Sequence, residues 1–340
     1  MAWTVTQLLV GFLIVAMTLR DVFDTVIVPG GSHATLHIAR RLVFLLLPVW
    51  KRLRGRRRGL STMFAPLILV ISFAVWMVLL ALGFGLMTYA VRHSFDPPLR
   101  TFGDSVFNAG TALVTIGEGN STVNGGARWV MLAAGFCGLA VMTMAVTYLL
   151  EVQTSIARRD SGIFKLRTSA GEPPSAVTLL EKYADIGNRD ELAHALRDGR
   201  DWCATVRQSH GSHPSLIYFR TIGTGSGWPA ALGVLLDLAL IVERCLDAPE
   251  LRGLAILLRE DGFEMARQLS ELIGLEPEEV PSDEREIGEM RGRLASAGYE
   301  LQAGFAAGEF HEARSVYAGW VRAMAIHLGR PEPTLVPREA

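Results

Sequence analysis

Apolar residues are massed in the first 152 positions of this chain, and beyond them charged and apolar residues alternate. A helix needs about 20 apolar residues to cross a bilayer, and three stretches come near that length. The first runs from about Trp3 to Val28, apolar as far as Leu19 before it meets Arg20, Asp21 and Asp24. It lacks a basic start and a small-residue cleavage site, so it reads as a retained span. The second, Phe64 to Val91, carries no charge, and the third, Trp129 to Val152, carries only Glu151. Arg20 and Asp24 stand four apart, on one helix face. They predict an ion pair that anchors a helix end, with a gating contact as the alternative.

Residues 153–176, around "RTSAGEPPSA", read as a flexible linker, and 177–340 as a water-soluble helical domain. "LLEKYADIG" and "DELAHALRDG" are amphipathic segments that end at glycine, as helices often do. "PAALGVLLDLALIVERC" is apolar almost all round but contains Asp237, which predicts a buried core helix rather than a fourth span. "APELRGLAILLREDGFEMARQLSELIG" and "FHEARSVYAGWVRAMAIHLG" continue the helical period. No strand pattern surrounds "TIGTGSGWPA", so a dinucleotide fold is not expected there and a loop before a helix is.

Between the first two spans, "KRLRGRRR" gathers Lys51, Arg52, Arg54, Arg56, Arg57 and Arg58. The positive-inside bias puts this loop in the cytoplasm. The amino terminus is then outside the cell membrane and everything after Val152 is cytoplasmic. Residues 31–61 predict an amphipathic, basic segment in the headgroup layer, either binding anionic lipid or acting only as a topology signal. "IARRD" after the third span agrees with that orientation.

The stretch "TALVTIGEGNS", Thr111 to Ser121, lies between the second and third spans and is too polar and short for two full crossings. Non-helical backbone survives at membrane depth only when buried in protein or lining water. A re-entrant loop follows, with Phe102 to Leu113 as a short descending helix and Thr115 to Gly119 returning in extended form. Gly117 and Gly119 permit backbone angles that turn successive carbonyls to one side.

Span, short pore helix, "TIGEG" and a glycine-containing inner span together resemble the tetrameric pore-loop cation channels of the potassium-channel superfamily, over roughly Phe64 to Glu151. The resemblance implies a homotetramer with Thr115, Ile116, Gly117, Glu118 and Gly119 as selectivity filter. Monovalent K+ or Na+ would be held by the carbonyls of Thr115, Ile116, Gly117 and Glu118. Asn108, Thr111 and Asn120 would support it, Asn120 standing where an aspartate is usual. The family's filter reads TVGYG and its tyrosine packs into an aromatic cuff; here that position is Glu118. The pattern stands closer to the GDG filter of nonselective sodium and potassium pores, which implies weak selectivity. A divalent ion such as Ca2+ could gather at the outer mouth, between like carboxylates. On the inner span Gly138 falls near the usual hinge, with simple packing as its alternative. Thr143, Thr147 and Glu151 recur every four residues on one face that could line a cavity.

Composition adds limits. Half the residues are hydrophobic and the net charge is -1, which implies no nucleic-acid partner. Cys137, Cys203 and Cys245 form no CxxC pair, so neither a disulfide framework nor a zinc site is expected. His210 and His213 in "SHGSHPS" have a spacing that could hold a metal, yet no acidic or cysteine neighbour joins them, and a surface loop is expected. No nucleophile, base and oxyanion set is present, so no enzyme and no cofactor is expected.

The reading is an all-α membrane protein: three transmembrane helices with a re-entrant pore helix and filter at 62–152, then an all-α cytosolic domain. Its function would be cation conduction, gated by an unknown cytosolic ligand or protein acting through that domain. A potassium-selective channel, or a nonconducting membrane-anchored interaction protein, are the alternatives.

Overall fold

The computed structural model of the chain describes residues 2–27, 41–42, 45–48, 50, 64–117, 121–187, 189–221, 225–281 and 283–337. They form an all-α membrane protein in two compact units, Met1–Gln153 and Thr154–Ala340. Among the described residues three helices are long and apolar enough to cross a membrane: α1 (Ala2–Val26), α2 (Phe64–Ala90) and α4 (Ala127–Ala170). The short α3 (Phe102–Leu113) lies between α2 and α4 in the chain, with the expected bounds.

In lipid there is little hydrophobic gain from helix association, so small residues and polar contacts decide how helices meet. The first unit shows this at each contact. A side chain on Gly11 of α1 would come 2.6 Å from the Gly83 carbonyl of α2, and one on Gly85 would strike Val106 of α3 at 2.6 Å. At the α3–α4 contact, a Cβ on Gly138 would stand 1.9 Å from the Leu113 carbonyl oxygen. Val15, Val22, Trp76, Leu80, Phe84, Ala109, Leu113, Ala134 and Val141 fill the core between these helices. Arg20 Nε stands 3.6 Å from Asp24 Oδ2, as the spacing predicts.

The second unit is a helical bundle around α7 (Gly227–Arg244), which is buried from Gly227 to Glu243. The nearly continuous apolar run is therefore a core helix. α6 (Arg189–Ser212), α8 (Pro249–Leu272) and α10 (Ala307–Leu328) pack about it, with α5 (Ala176–Asp185) beside α9 (Glu284–Ser296). Asp237, the charge near the middle of α7, is met by two partners. Arg314 grips Asp237 with Nε at 2.8 Å and Nη2 at 3.1 Å, and the Tyr317 hydroxyl donates to the same carboxylate at 2.8 Å. A planar guanidinium matches a carboxylate with two parallel bonds, which repays part of the cost of burying both charges.

Two expectations change. The linker at 153–176 is helical for most of its length, since α4 continues to Ala170 and only a short turn precedes α5. Arg159 and Ile163 are buried along this stretch, so packing within the second unit keeps it helical where local sequence looks indifferent. "DELAHALRDG" does not end at its glycine, because α6 runs on to Ser212. A Cβ on Gly199 would meet Leu235 at 2.8 Å and Leu258 at 3.3 Å; that glycine is a packing notch and not a cap.

Asp237→Ala would leave the Arg314 guanidinium buried without its carboxylate, a loss of about 3–5 kcal/mol. Chemical denaturation followed by far-UV circular dichroism should show it; a change below about 1 kcal/mol would mean that the pair is not what holds α7 to α10.

Candidate functional site

The segment between α2 and α4 is tied at its base. Strands β1 (Phe95–Asp96) and β2 (Thr122–Val123) pair antiparallel, with Phe95 opposite Val123 and Asp96 opposite Thr122. The Asn124 amide donates to the Ser94 carbonyl at 2.9 Å, and Arg128 Nε to the Val123 carbonyl at 2.9 Å. Phe95, Leu99 and Ala127 pack beneath the pairing with Val91, Val123 and Met131. The two ends of the loop are thereby brought side by side.

From that base rises α3, twelve residues long and so about 18 Å. A helix end away from water must satisfy its orphan amides and carbonyls. At the start, the Thr101 hydroxyl accepts from the Asp104 amide at 3.0 Å while the Asp104 carboxylate accepts from the Thr101 amide at 2.9 Å. This is a reciprocal capping box. At the far end the chain folds back on the helix. Val114 N donates to Gly110 O at 3.0 Å, Thr115 N to Ala112 O at 3.0 Å, and Ile116 N and Gly117 N both to Thr111 O at 2.9 and 3.2 Å.

Those last two bonds orient the strip. In a trans peptide the carbonyl points opposite to the amide hydrogen that follows it. Because the amides of Ile116 and Gly117 both aim at the Thr111 oxygen, the carbonyls of Thr115 and Ile116 both point away from it. Thr115 at φ 58° and Gly117 at φ 67° flank this pair in the left-handed region. Such a φ is unusual for a threonine and marks the site as conformationally strained. Thr115, Ile116 and Gly117 are exposed on the single chain, and among the described residues no backbone amide donates to the Thr115 or Ile116 carbonyl. The strip turns back toward its helix rather than leaving it fully extended, yet it presents two adjacent carbonyl oxygens outward, a geometry suited to a cation.

Glu118, Gly119 and Asn120 lie outside the described residues, as do the basic residues Lys51, Arg52, Arg54, Arg56, Arg57 and Arg58. Asn108 and Thr111 are buried in α3, where Asn108 Nδ2 donates to the Asp104 carbonyl at 3.3 Å and Thr111 Oγ1 to the Asn108 carbonyl at 2.8 Å. Both act on their own helix. Gly138 packs closely against the end of α3. Thr143, Thr147 and Glu151 are exposed on α4, whereas Ala134, Val141 and Tyr148 are buried.

Two buried polar centres escape the sequence pattern. In the first unit Asp21 is wholly buried within α1, and Trp76 Nε1 of α2 donates to its Oδ2 at 2.8 Å. An acid inside an apolar span is itself a signal of a polar contact between helices. In the second unit Arg159, which looks in "IARRD" like one more interfacial charge, is wholly buried. Its Nη1 donates to the Leu216 carbonyl at 3.2 Å and lies 3.4 Å from His210 Nε2, while Asp160 Oδ1 stands 2.9 Å from its Nη2. His210 and His213 are accordingly buried, against the expectation of a surface loop, because α6 extends through His210 and packs it edge-on to Trp228, centroids 5.8 Å apart. Burial first, then the Arg159 charge, holds the His210 imidazole well below its ordinary value. Cys137, Cys203 and Cys245 are free thiols. A cleft of about 690 Å³ in the second unit is floored by Leu166, Trp202, Leu235 and Leu238.

No protein-family model matches the chain, and no solved structure matches it. It is similar to an uncharacterized membrane protein, YdjJ, of Bacillus subtilis (strain 168), 26% identical over 121 residues. The match covers 33% of this chain and 36% of that protein, so about a third of each. Together with the three apolar helices, this likeness identifies a membrane protein.

Two outcomes follow from this geometry. Gly138→Ala should lower the thermal midpoint of the detergent-solubilised protein, because its methyl group would overlap the Leu113 carbonyl, whereas Gly135→Ala, with its nearest contact at 3.5 Å, should leave it unchanged. Equal midpoints would mean that α3 does not sit on Gly138. His210 is neutral in the fold and titrates normally when unfolded, so the unfolded state takes up the extra proton. Stability should therefore be complete above the ordinary imidazole value of 6.5 and decline as pH falls below it, with a shallower decline in His210→Gln. Denaturant midpoints measured from pH 7.5 to 5 check both slope and sign.

Proposed function

We propose that this chain is one subunit of a homotetrameric cation pore in the cell membrane, crossing it three times with the amino terminus outside and the helical unit in the cytoplasm. The observation that carries this reading is the pair of adjacent carbonyls, Thr115 and Ile116, that point away from the Thr111 oxygen at the end of a short, capped helix. An ion that sheds water needs oxygens on several sides. One chain offers one edge of such a ring, and four copies around an axis would complete it. In this arrangement Thr115, Ile116, Gly117 and Glu118 supply successive carbonyls, and Thr143, Thr147 and Glu151, which are free of packing in the single chain, line the inner cavity. Glu151 then forms a carboxylate ring at the cytoplasmic mouth that draws cations.

Glu118, in the place of an aromatic side chain, removes the packing that would hold the strip at a fixed width. The pore is therefore read as weakly selective between sodium and potassium. Because α4 runs unbroken from Ala127 to Ala170, it belongs both to the span and to the helical unit. A ligand that favours one state of that unit would bias the pore by its difference in affinity for the two states.

Purified protein in planar bilayers, with potassium on one side and sodium on the other, tests the reading. A current reversing near zero is expected, moving toward the potassium potential in Glu118→Tyr. An unchanged permeability ratio in that variant would remove the role given to Glu118, and a wild-type reversal near the potassium potential would make the pore potassium-selective. Silence from verified tetramers across voltage, calcium and pH would overturn conduction in favour of a membrane-anchored interaction protein.

A further inference from the structure

The cleft of about 690 Å³ opens between α4, α5 and α6, over α7, and every residue that lines it belongs to the second unit. Small molecules bind in clefts of about 300–1,000 Å³, lined by apolar side chains with a few polar groups that fix orientation. Here the floor is Leu166 of α4, Leu179 of α5, Trp202 of α6, and Leu235 and Leu238 of α7. The indole is held from two sides. Trp202 Nε1 donates to the Arg159 carbonyl at 2.9 Å, and a Cβ on Gly162 would stand 2.2 Å from Trp202 Cδ1, so α4 lies directly on the ring at that point. The floor is formed before any ligand arrives.

The rim carries charge of both signs, sorted by helix. Arg158 and Lys165, seven apart, share a face of α4, while Asp198 and Asp201, three apart, share a face of α6. Two cations thus stand across an apolar floor from two carboxylates. Lys165 Nζ lies 3.6 Å from Asp198 Oδ2, and both side chains are largely exposed, so this bridge is weak and opens readily. Arg158 and Asp201 are exposed too, and among the described residues neither side chain makes a hydrogen bond or an ion pair. The cleft therefore offers a guanidinium on one wall and a carboxylate on the other, both open to a ligand.

We propose that this cleft binds a free α-amino acid with a large apolar side chain, as the zwitterion. Its carboxylate would take the Arg158 guanidinium, whose paired N–H groups match two carboxylate oxygens. Its ammonium would take Asp201, and its side chain would lie on Trp202 and Leu235, away from water. A simple anion would meet Asp198 and Asp201 as like charges, and a simple cation would meet Arg158 and Lys165, so the balanced rim disfavours both. The site lies within the helical unit and stands whether or not the chain conducts.

Equilibrium dialysis of isotopically labelled L-phenylalanine against the full-length protein in lipid nanodiscs, with empty nanodiscs as the blank, tests the proposal. Saturable binding is expected. Arg158→Gln and Asp201→Asn should each raise the dissociation constant at least tenfold, and both positions are exposed, so the fold is kept. Arg197→Gln, which removes an exposed charge from α6 outside the cleft, should leave it unchanged. 3-Phenylpropionate, which lacks the ammonium, and 2-phenylethylamine, which lacks the carboxylate, should each compete at least tenfold less well than unlabelled L-phenylalanine. No saturable binding overturns the proposal. So does either cleft variant that binds like the wild type, or an Arg197→Gln variant that weakens as much as they do. An analogue that competes as well as the amino acid also overturns it, since the cleft would then take apolar bodies whatever their charge.

Discussion

The contact between the Leu113 carbonyl and Gly138 is the constraint on which the membrane unit turns. A helix of twelve residues is too short to cross a bilayer, and its ends are expensive wherever water is absent. It is held because backbone meets backbone at the C-terminal end of α3, where any side chain on Gly138 would intrude. Gly85 gives the same helix its seat against α2, and Gly11 with Gly83 carries the approach outward to α1. With α3 fixed by these notches and its base pinned by the Phe95–Val123 pairing, the strip after it has little freedom. Its amides return to Thr111, and two carbonyls are left pointing outward.

Buried charge is handled differently in the two units. In the helical unit Asp237 has a full complement of partners in Arg314 and Tyr317, so α7 can be apolar on every side and still carry an acid. Arg159 is matched by Asp160, the Leu216 carbonyl and Thr221. In the membrane unit Asp21 has the indole of Trp76 and no arginine among the described residues. A neutral donor in an apolar setting fixes the register of α1 on α2 through direction more than through charge, since an amide or indole bond loses strength steeply off its axis. The polar groups thus act as locators, and apolar packing and glycine notches carry the association.

The proposed pore would separate two tasks. The loop between α2 and α4 holds oxygens at a set direction, a rigid task that suits capped ends and close packing. The helical unit, with its cleft and its buried imidazole, would be where a soluble signal binds in that proposal. α4 is one continuous helix from Ala127 to Ala170.

Much of this was legible from residue order alone. The three apolar stretches, the bounds of α3 and the buried nature of α7 follow from local hydrophobicity and helical period, because an apolar run has few places to go and a threonine with aspartate three residues on marks a helix start. The strip 115–117 was recognisable by its glycine and its place between spans. What local pattern does not carry is which residues meet across the chain. Gly138 as a seat for Leu113, Gly199 as a notch inside a helix, Arg159 in a core, His210 against Trp228 and Asp21 on Trp76 depend on partners 18 to 62 positions away. The same holds for the helix through the expected linker: polar, Pro-adjacent sequence looks open until Arg159 and Ile163 are buried by the bundle around them. Residue order set the elements and their kind, since each is a local matter of burial and period. The directions of carbonyls, the roles of glycines and the fate of buried charges were decided only by tertiary contact, where a side chain's meaning depends on what stands opposite it.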